Sequence, residues 1–201
     1  MTKGADHATL DRELFQASGY APDEAGVDWA ALPPLVRVLL STDGTVTKSL
    51  ESYFWEPVQV TLVSQGAATP LCESRVLDSA QHHTEQSFMQ LLNDAEGVWR
   101  RDVRLVGQHS ERHFVTASSL IRFELLPVSL RLGLDSGALG IGGVIRELGL
   151  ETYRKVVAVG QCPASGEGYR HRDVWRVYRL YYQGEVLMQI RELFHLSPLQ
   201  A

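Results

Sequence analysis

Two cysteines in 201 residues, Cys72 and Cys162, stand ninety positions apart. That scarcity excludes a disulfide framework and a CxxC metal ligand set, and it points to a reducing cytoplasm. Long apolar runs are missing too: the longest are strand-sized, whereas a membrane-spanning helix needs about 20 apolar residues. The start, Met1-Thr-Lys-Gly-Ala-Asp-His7, lacks the apolar stretch of a secretory signal. Excess positive charge is absent as well. The net charge is −5, which argues against a general nucleic-acid binder, since that role needs a basic patch.

What the chain does have is enough apolar content for a core. At 44% hydrophobic, it suits one domain over residues 1–201. The first thirty residues read as an N-terminal extension, ordered only in part, with a short helix over Leu10–Ser18. Pro33-Pro34 opens a helix over Leu35–Leu40, because proline is tolerated in a first helical turn. A second helix runs over Thr45–Phe54, with Thr45 or Thr47 as N-cap. Pro57–Gln65 alternates as a half-buried strand. Gly66–Ala95 mixes turn residues with a helical pattern around Phe88, Leu91 and Leu92. Strands follow over Val98–Val106 and His113–Ile121, then helices over Leu125–Leu134 and Gly142–Leu148. Three more strands cover Thr152–Val159, Val174–Tyr182 and Val186–Phe194, the last two joined by the hairpin turn Gln183-Gly-Glu185. Gln161–Arg172 reads as a mobile connection. Meander strands with inserted helices give an α+β class.

The two-residue period of strands exposes an anomaly. Arg101 shares a face with Trp99, Val103 and Leu105. Glu192 sits among Val186, Met188, Ile190 and Phe194. Arg176 falls with Val174, Tyr178, Leu180 and Tyr182. Three charges therefore point toward the core side of one sheet, and buried charges are normally paired or ligand-facing. Two readings stand side by side. One is a buried ion pair, Arg101–Glu192 or Arg176–Glu192, that only holds the fold. The other is a set of arginines, Arg101 and Arg176, awaiting an anionic ligand, with Glu192 meeting a polar group on it.

Gly140-Ile-Gly-Gly143 before the helical Val144–Leu148 is compatible with an anion at a helix start, although on these residues alone a plain turn is the better reading. A dinucleotide fingerprint fits weakly, since its third glycine would fall at Ile145 and no strand immediately precedes. His109 and His113 straddle a turn rather than share a helical face, so no metal site is expected. Ser118-Ser119 lacks a GxSxG elbow, which argues against a hydrolase triad.

Several stretches in order resemble the chorismate pyruvate-lyase family, in its bacterial branch outside ubiquinone synthesis. They are Thr42-Asp-Gly-Thr-Val-Thr47, Glu56-Pro-Val58 with Gln65, Trp99-Arg-Arg-Asp-Val-Arg-Leu105, Leu126-Pro127, Ile141-Gly142, Leu150-Glu-Thr-Tyr-Arg154, Arg176-Val-Tyr-Arg-Leu-Tyr181 and Ile190-Arg-Glu-Leu-Phe194. The resemblance runs from about Pro33 to the end. It implies a six-stranded antiparallel sheet with flanking helices enclosing a ligand pocket. It also implies a cofactor-free lyase that converts chorismate, a small anionic aromatic precursor, into 4-hydroxybenzoate and pyruvate. Arg101 matches the family's ring-carboxylate arginine and Glu192 its catalytic glutamate, and in the mechanism so implied Arg176 meets the enolpyruvyl carboxylate. The backbone amides of Val46 and Ile141 match those that also hold the carboxylate, with Thr47 and Gly142 beside them. Two alternatives remain open: the same fold recruited to another cyclisation or elimination in natural-product biosynthesis, or a non-catalytic ligand-binding module like the UTRA domains of transcription regulators.

Overall fold

The computed structural model describes residues 27–68, 97–135, 140–162 and 173–199. The helix expected over Leu10–Ser18, the pattern around Phe88–Leu92 and nearly all of the expected mobile connection lie outside the described residues.

Two helices come first, α1 (Pro34–Ser41) and α2 (Val46–Phe54), then strands β1 (Val58–Ala67), β2 (Val98–Gly107) and β3 (His113–Arg122). A 3-10 turn (Phe123–Leu125) leads to α3 (Val128–Asp135) and α4 (Ile141–Glu147). Strands β4 (Tyr153–Gln161), β5 (Val174–Tyr182) and β6 (Glu185–Phe194) follow, and a short α5 (Leu196–Leu199) ends the described chain. The strands form one antiparallel sheet in the order β1-β2-β3-β6-β5-β4. The α+β class and the six-stranded sheet with flanking helices are therefore as expected. Among the described residues no helix is long and apolar enough to cross a membrane.

Local chemistry explains where elements begin and break. The single helix expected over Leu125–Leu134 is split because Leu126 precedes Pro127. Proline disfavours helical backbone at the residue before it, and Leu126 is extended at φ −68°, ψ 138°. The β5–β6 turn is the two residues Gln183 (φ 51°) and Gly184 (φ 84°). Positive φ at both positions is what a tight type I′ hairpin requires. Near that turn the register slips, Leu180 facing Met188 but Tyr181 facing Val186. The extra residue, Leu187, joins the inner core, and Val186 packs with Val98 and Leu120 instead. Strict alternation had placed Val186 on the inner face, and the bulge reverses it.

The inner face of the sheet carries two apolar clusters under two pairs of helices. Under α1 and α2 lie Leu39, Leu40 and Leu50 against Val103, Val115 and Phe194. Under α3 and α4 lie Leu130, Leu134 and Val144 against Tyr178, Met188 and Ile190. Each fully buried side chain of this kind contributes about 1.5–3 kcal/mol. The strip of sheet between the clusters is where the buried polar groups Arg101, Ser119, Arg176 and Glu192 sit.

One titratable cluster lies away from that strip, at the start of α5. Asp173 Oδ1 accepts from the Leu196 amide (3.0 Å), and Oδ2 accepts from His195 Nδ1 (2.8 Å). His195 Nε2 is then the acceptor for the Thr116 hydroxyl (3.0 Å). That hydroxyl in turn accepts from His113 Nε2 (3.1 Å), and the Val115 carbonyl takes the same donor (3.1 Å). The chain of bonds is complete with both imidazoles neutral, and their rings are 4.4 Å apart. Burial, then the neighbouring His195 and Arg104, hold His113 below its ordinary value of 6.5, against the opposing pull of the Val115 carbonyl and, more weakly, Asp173.

The sign follows from linkage. As pH falls below 6.5 the unfolded chain takes up a proton that the folded chain resists, so stability present above pH 6.5 is lost through the lowered folded pKa. Thermal unfolding measured from pH 7.5 to 5 is expected to show a falling Tm, with a shallower fall in His113→Gln. Parallel profiles for the two proteins would remove His113 from the effect.

Candidate active site

Arg101 on β2 is 1% exposed, Ser119 on β3 2%, Arg176 on β5 1% and Glu192 on β6 7%. Their strands bring them together by register. Arg101 stands opposite Ser119, Ser119 opposite Ile190, and Glu192 lies between Ala117 and Arg176. Arg101, Ser119 and Glu192 line one cavity on the inner face, with Val103, Ala117 and Ile190 as its apolar floor.

The roof is made by two helix starts. Gly44–Thr47, leading into α2, and Gly140–Gly142, leading into α4, both line the cavity. The first amides of a helix have no intrahelical partner. Here the first helical bonds begin at Ser49 and Gly143. Neither Thr45 nor Gly140 caps its helix with a side chain; Gly140 has none to offer. The amides of Val46, Thr47, Ile141 and Gly142 are thus the unsatisfied ends of two helices, beside a cavity where their partial positive charge favours an anion. Glycine at 142 lets the two helix starts close on each other. A Cβ there would meet Thr45 Cγ2 at 3.2 Å and an Arg154 guanidinium nitrogen at 3.3 Å.

Of the seven expected site residues, Arg101, Glu192, Val46, Thr47, Ile141 and Gly142 line this cavity. Arg176 does not. Its Nε donates to Glu192 Oε2 at 2.7 Å, and its Nη1 donates to the Thr42 carbonyl. The expectation that Arg176 meets a ligand carboxylate is corrected on that ground: its charge is already matched by Glu192 beneath the cavity. The ion pair offered as the purely structural alternative is thus present, as Arg176–Glu192. It coexists with an open cavity above it.

Glu192 keeps its other oxygen, Oε1, toward the Tyr178 hydroxyl at 3.4 Å. Burial, with the Glu192 charge beside it, pushes the Tyr178 phenol far up, so it stays a neutral donor. Arg101 Nη1 donates to Gln65 Oε1 on β1 and to the Leu134 carbonyl (3.1 Å), which fixes the guanidinium from both flanks.

Arg154 on β4 also lines the cavity, and the charge pattern of the sequence had not singled it out. The signal was obscured by a bulge in β4 between Val156 and Ala158. Strict alternation sets Tyr153, Lys155, Val157 and Val159 against Arg154, Val156 and Ala158, so neither face stands out as the apolar one. In the structure Val156 and Val159 pack together on the inner side while Ala158 packs with Trp175 on the other. Among the described residues no group of three or more His, Cys, Asp or Glu is placed to hold a metal ion.

Comparisons with known proteins agree with this architecture. The family model described as Chorismate pyruvate-lyase Rv2949c-like matches residues 40–200. The chain is 31% identical to a chorismate pyruvate-lyase of Mycobacterium tuberculosis over 167 residues, 79% of this chain and 78% of that protein. It is 28% identical to a chorismate pyruvate-lyase of Mycobacterium leprae over 172 residues, 82% and 76% of the two chains. A solved Staphylococcus aureus gene product superposes with a TM-score of 0.50 at 9% identity, covering 78% of this chain and 91% of that one. That last likeness speaks to the fold alone. Together with the family match over four-fifths of its length, these findings establish that the chain belongs to the chorismate pyruvate-lyase family.

Proposed function

We propose that the protein is a lyase that eliminates pyruvate from chorismate to give 4-hydroxybenzoate. The observation that carries the reading is one cavity in which a buried carboxylate, Glu192, stands with a buried guanidinium, Arg101, beneath two uncapped helix starts. Family membership supplies the substrate class that such a cavity would take.

In this reading Arg101 and the amides of Val46 and Ile141 hold the ring carboxylate. Binding energy at that end fixes the ring and turns it toward Glu192. Glu192 accepts the hydrogen bond of the C4 hydroxyl through Oε1, the oxygen that Arg176 leaves open. The C3–O bond breaks, and its electron pair leaves with the enolpyruvyl oxygen. C4–H is lost as a proton and the ring becomes aromatic. The released enolate takes up a proton at its methylene carbon and becomes pyruvate, so atoms and charge balance with no redox partner. A carboxylate held in a dry site stabilises the positive charge that develops on the ring, and such preorganised electrostatics is commonly the largest catalytic contribution.

The test is to incubate the purified protein with chorismate and follow both products by chromatography. Equimolar 4-hydroxybenzoate and pyruvate are expected, with kcat/KM in Arg101→Gln lower by about 10²-fold from the lost orientation. A folded wild-type protein that leaves chorismate unchanged sinks the proposal.

A further inference from the structure

We propose that Arg154 is the residue that holds the second carboxylate of a dianionic substrate, on the far side of Glu192 from Arg101. The inference rests on the reading of the cavity as a site for an aromatic-precursor carboxylate, and it names the group that recognises the enolpyruvyl end.

Charge is the first argument. Among the described side chains, Arg101, Arg154 and Glu192 are the charged groups that line the cavity, and Arg176 lies directly behind Glu192. Three guanidiniums stand around one carboxylate, and that carboxylate is already engaged by Arg176. The Glu192 charge is thus matched before Arg154 is counted, and Arg154 adds a positive group to the cavity wall away from Arg101. A ligand with a second carboxylate on that side suits such a wall better than a monoanion.

Placement is the second argument. In the sheet order, Glu192 on β6 lies between Arg101 on β2 and Arg154 on β4. The outer two strands are four spacings apart, about 19 Å, and both arginines reach inward to the same cavity. Two carboxylates gripped from opposite flanks would leave the reacting ring bonds over Glu192. In chorismate the carboxylates lie in just that relation, one on the ring and one on the ether side chain that leaves.

The third argument is the unused hydrogen-bonding capacity of Arg154. Its Nη1 donates to the Asp43 carbonyl at 2.9 Å, which ties β4 to the start of α2. A guanidinium has five N–H donors, and no carboxylate among the described residues pairs with this one. Its Nε is buried with no hydrogen-bond partner, an arrangement that native structures rarely leave unexplained. A second nitrogen, Nη2, lies beside Gly142, where any side chain would crowd it. The anchored Nη1 fixes the plane of the group, and Nε with Nη2 present the paired edge that takes a carboxylate bidentately.

Two stable probes separate this role from a structural one. 3-Carboxymethoxy-4-hydroxybenzoate carries both carboxylates, and 3-ethoxy-4-hydroxybenzoate has the same shape without the second. Calorimetric titration of wild type, Arg154→Gln and Arg154→Lys is expected to show the dicarboxylate weakened roughly 10–100-fold by Gln and partly restored by Lys. The monocarboxylate should bind all three proteins within about two-fold, and KM for chorismate should follow the dicarboxylate. Equal weakening of both probes in a folded Arg154→Gln protein would make Arg154 only a strut for Asp43 and overturn the proposal. Unchanged binding of the dicarboxylate would overturn it as well. If wild type binds the dicarboxylate through Arg154 yet leaves chorismate intact, the lyase reading falls and the Arg154 site stands. If it binds neither probe, both fall.

Discussion

Glu192→Gln is expected to lower kcat for chorismate by roughly 10²–10⁴-fold, the range for losing a positioned acid–base group, while 4-hydroxybenzoate binding changes only slightly. The geometry gives a reason for the split. Arg176 Nε engages Oε2 at 2.7 Å, and a glutamine can keep that bond by turning its carbonyl oxygen to the guanidinium. Its amide nitrogen then faces the cavity and the Tyr178 hydroxyl in place of Oε1. An acceptor becomes a donor at the point where the C4 hydroxyl arrives, and the full negative charge beside the ring is gone. Arg101, held by Gln65 and Leu134, is untouched, so the ring carboxylate still has its anchor. Single-turnover rates and product titration on the same preparation would check both halves. Turnover within a few-fold of wild type would remove Glu192 from the chemistry.

How far this site was legible depends on what a period of two can encode. Arg101, Arg176 and Glu192 are each surrounded at i±2 by apolar residues in regular strands, so their inward direction could be read without any partner being known. Burial of 1%, 1% and 7% agrees with that direction. Alternation gives direction but not pairing. Which arginine takes the glutamate is decided by the β5–β6 register, where Arg176 stands directly opposite Glu192 while Arg101 is separated from β6 by β3. Bulges defeated the pattern at two places. One at Leu187 moved Val186 to the outer face, and one in β4 moved Val157 and Ala158 to one side, so neither alternating set of that strand marked an inner face and Arg154 did not stand out. The Gly140–Gly143 helix start read more readily as a plain turn, and the start of α2 entered only through the family resemblance. Their convergence on one cavity was not legible, because it depends on Thr45 and Gly142 approaching from distant parts of the chain.

Arg176→Met is expected to cost about 3–5 kcal/mol in urea unfolding, the typical loss when one partner of a buried ion pair is removed. Both partners are enclosed, with side chains 2% and 9% exposed, so little water can reach the carboxylate left behind. A second loss comes with it. Arg176 Nη1 also holds the Thr42 carbonyl, and Arg154 holds the next carbonyl, that of Asp43. The segment that delivers the start of α2 to the cavity is therefore fastened to the sheet by two guanidiniums in succession, and removing one frees Val46 and Thr47 from their place over Glu192. The variant should consequently bind 4-hydroxybenzoate more weakly even at temperatures where it is folded. Glu192→Gln, which leaves the Thr42 bond intact, should not share that defect. Adding Glu192→Leu to Arg176→Met should recover part of the stability, because two apolar groups in place of an ion pair leave no buried charge unmatched, and the coupling energy from the full cycle reports the pair itself. It should recover none of the ligand affinity. A double variant no more stable than Arg176→Met alone would shift the cost from the ion pair to the lost anchor at Thr42.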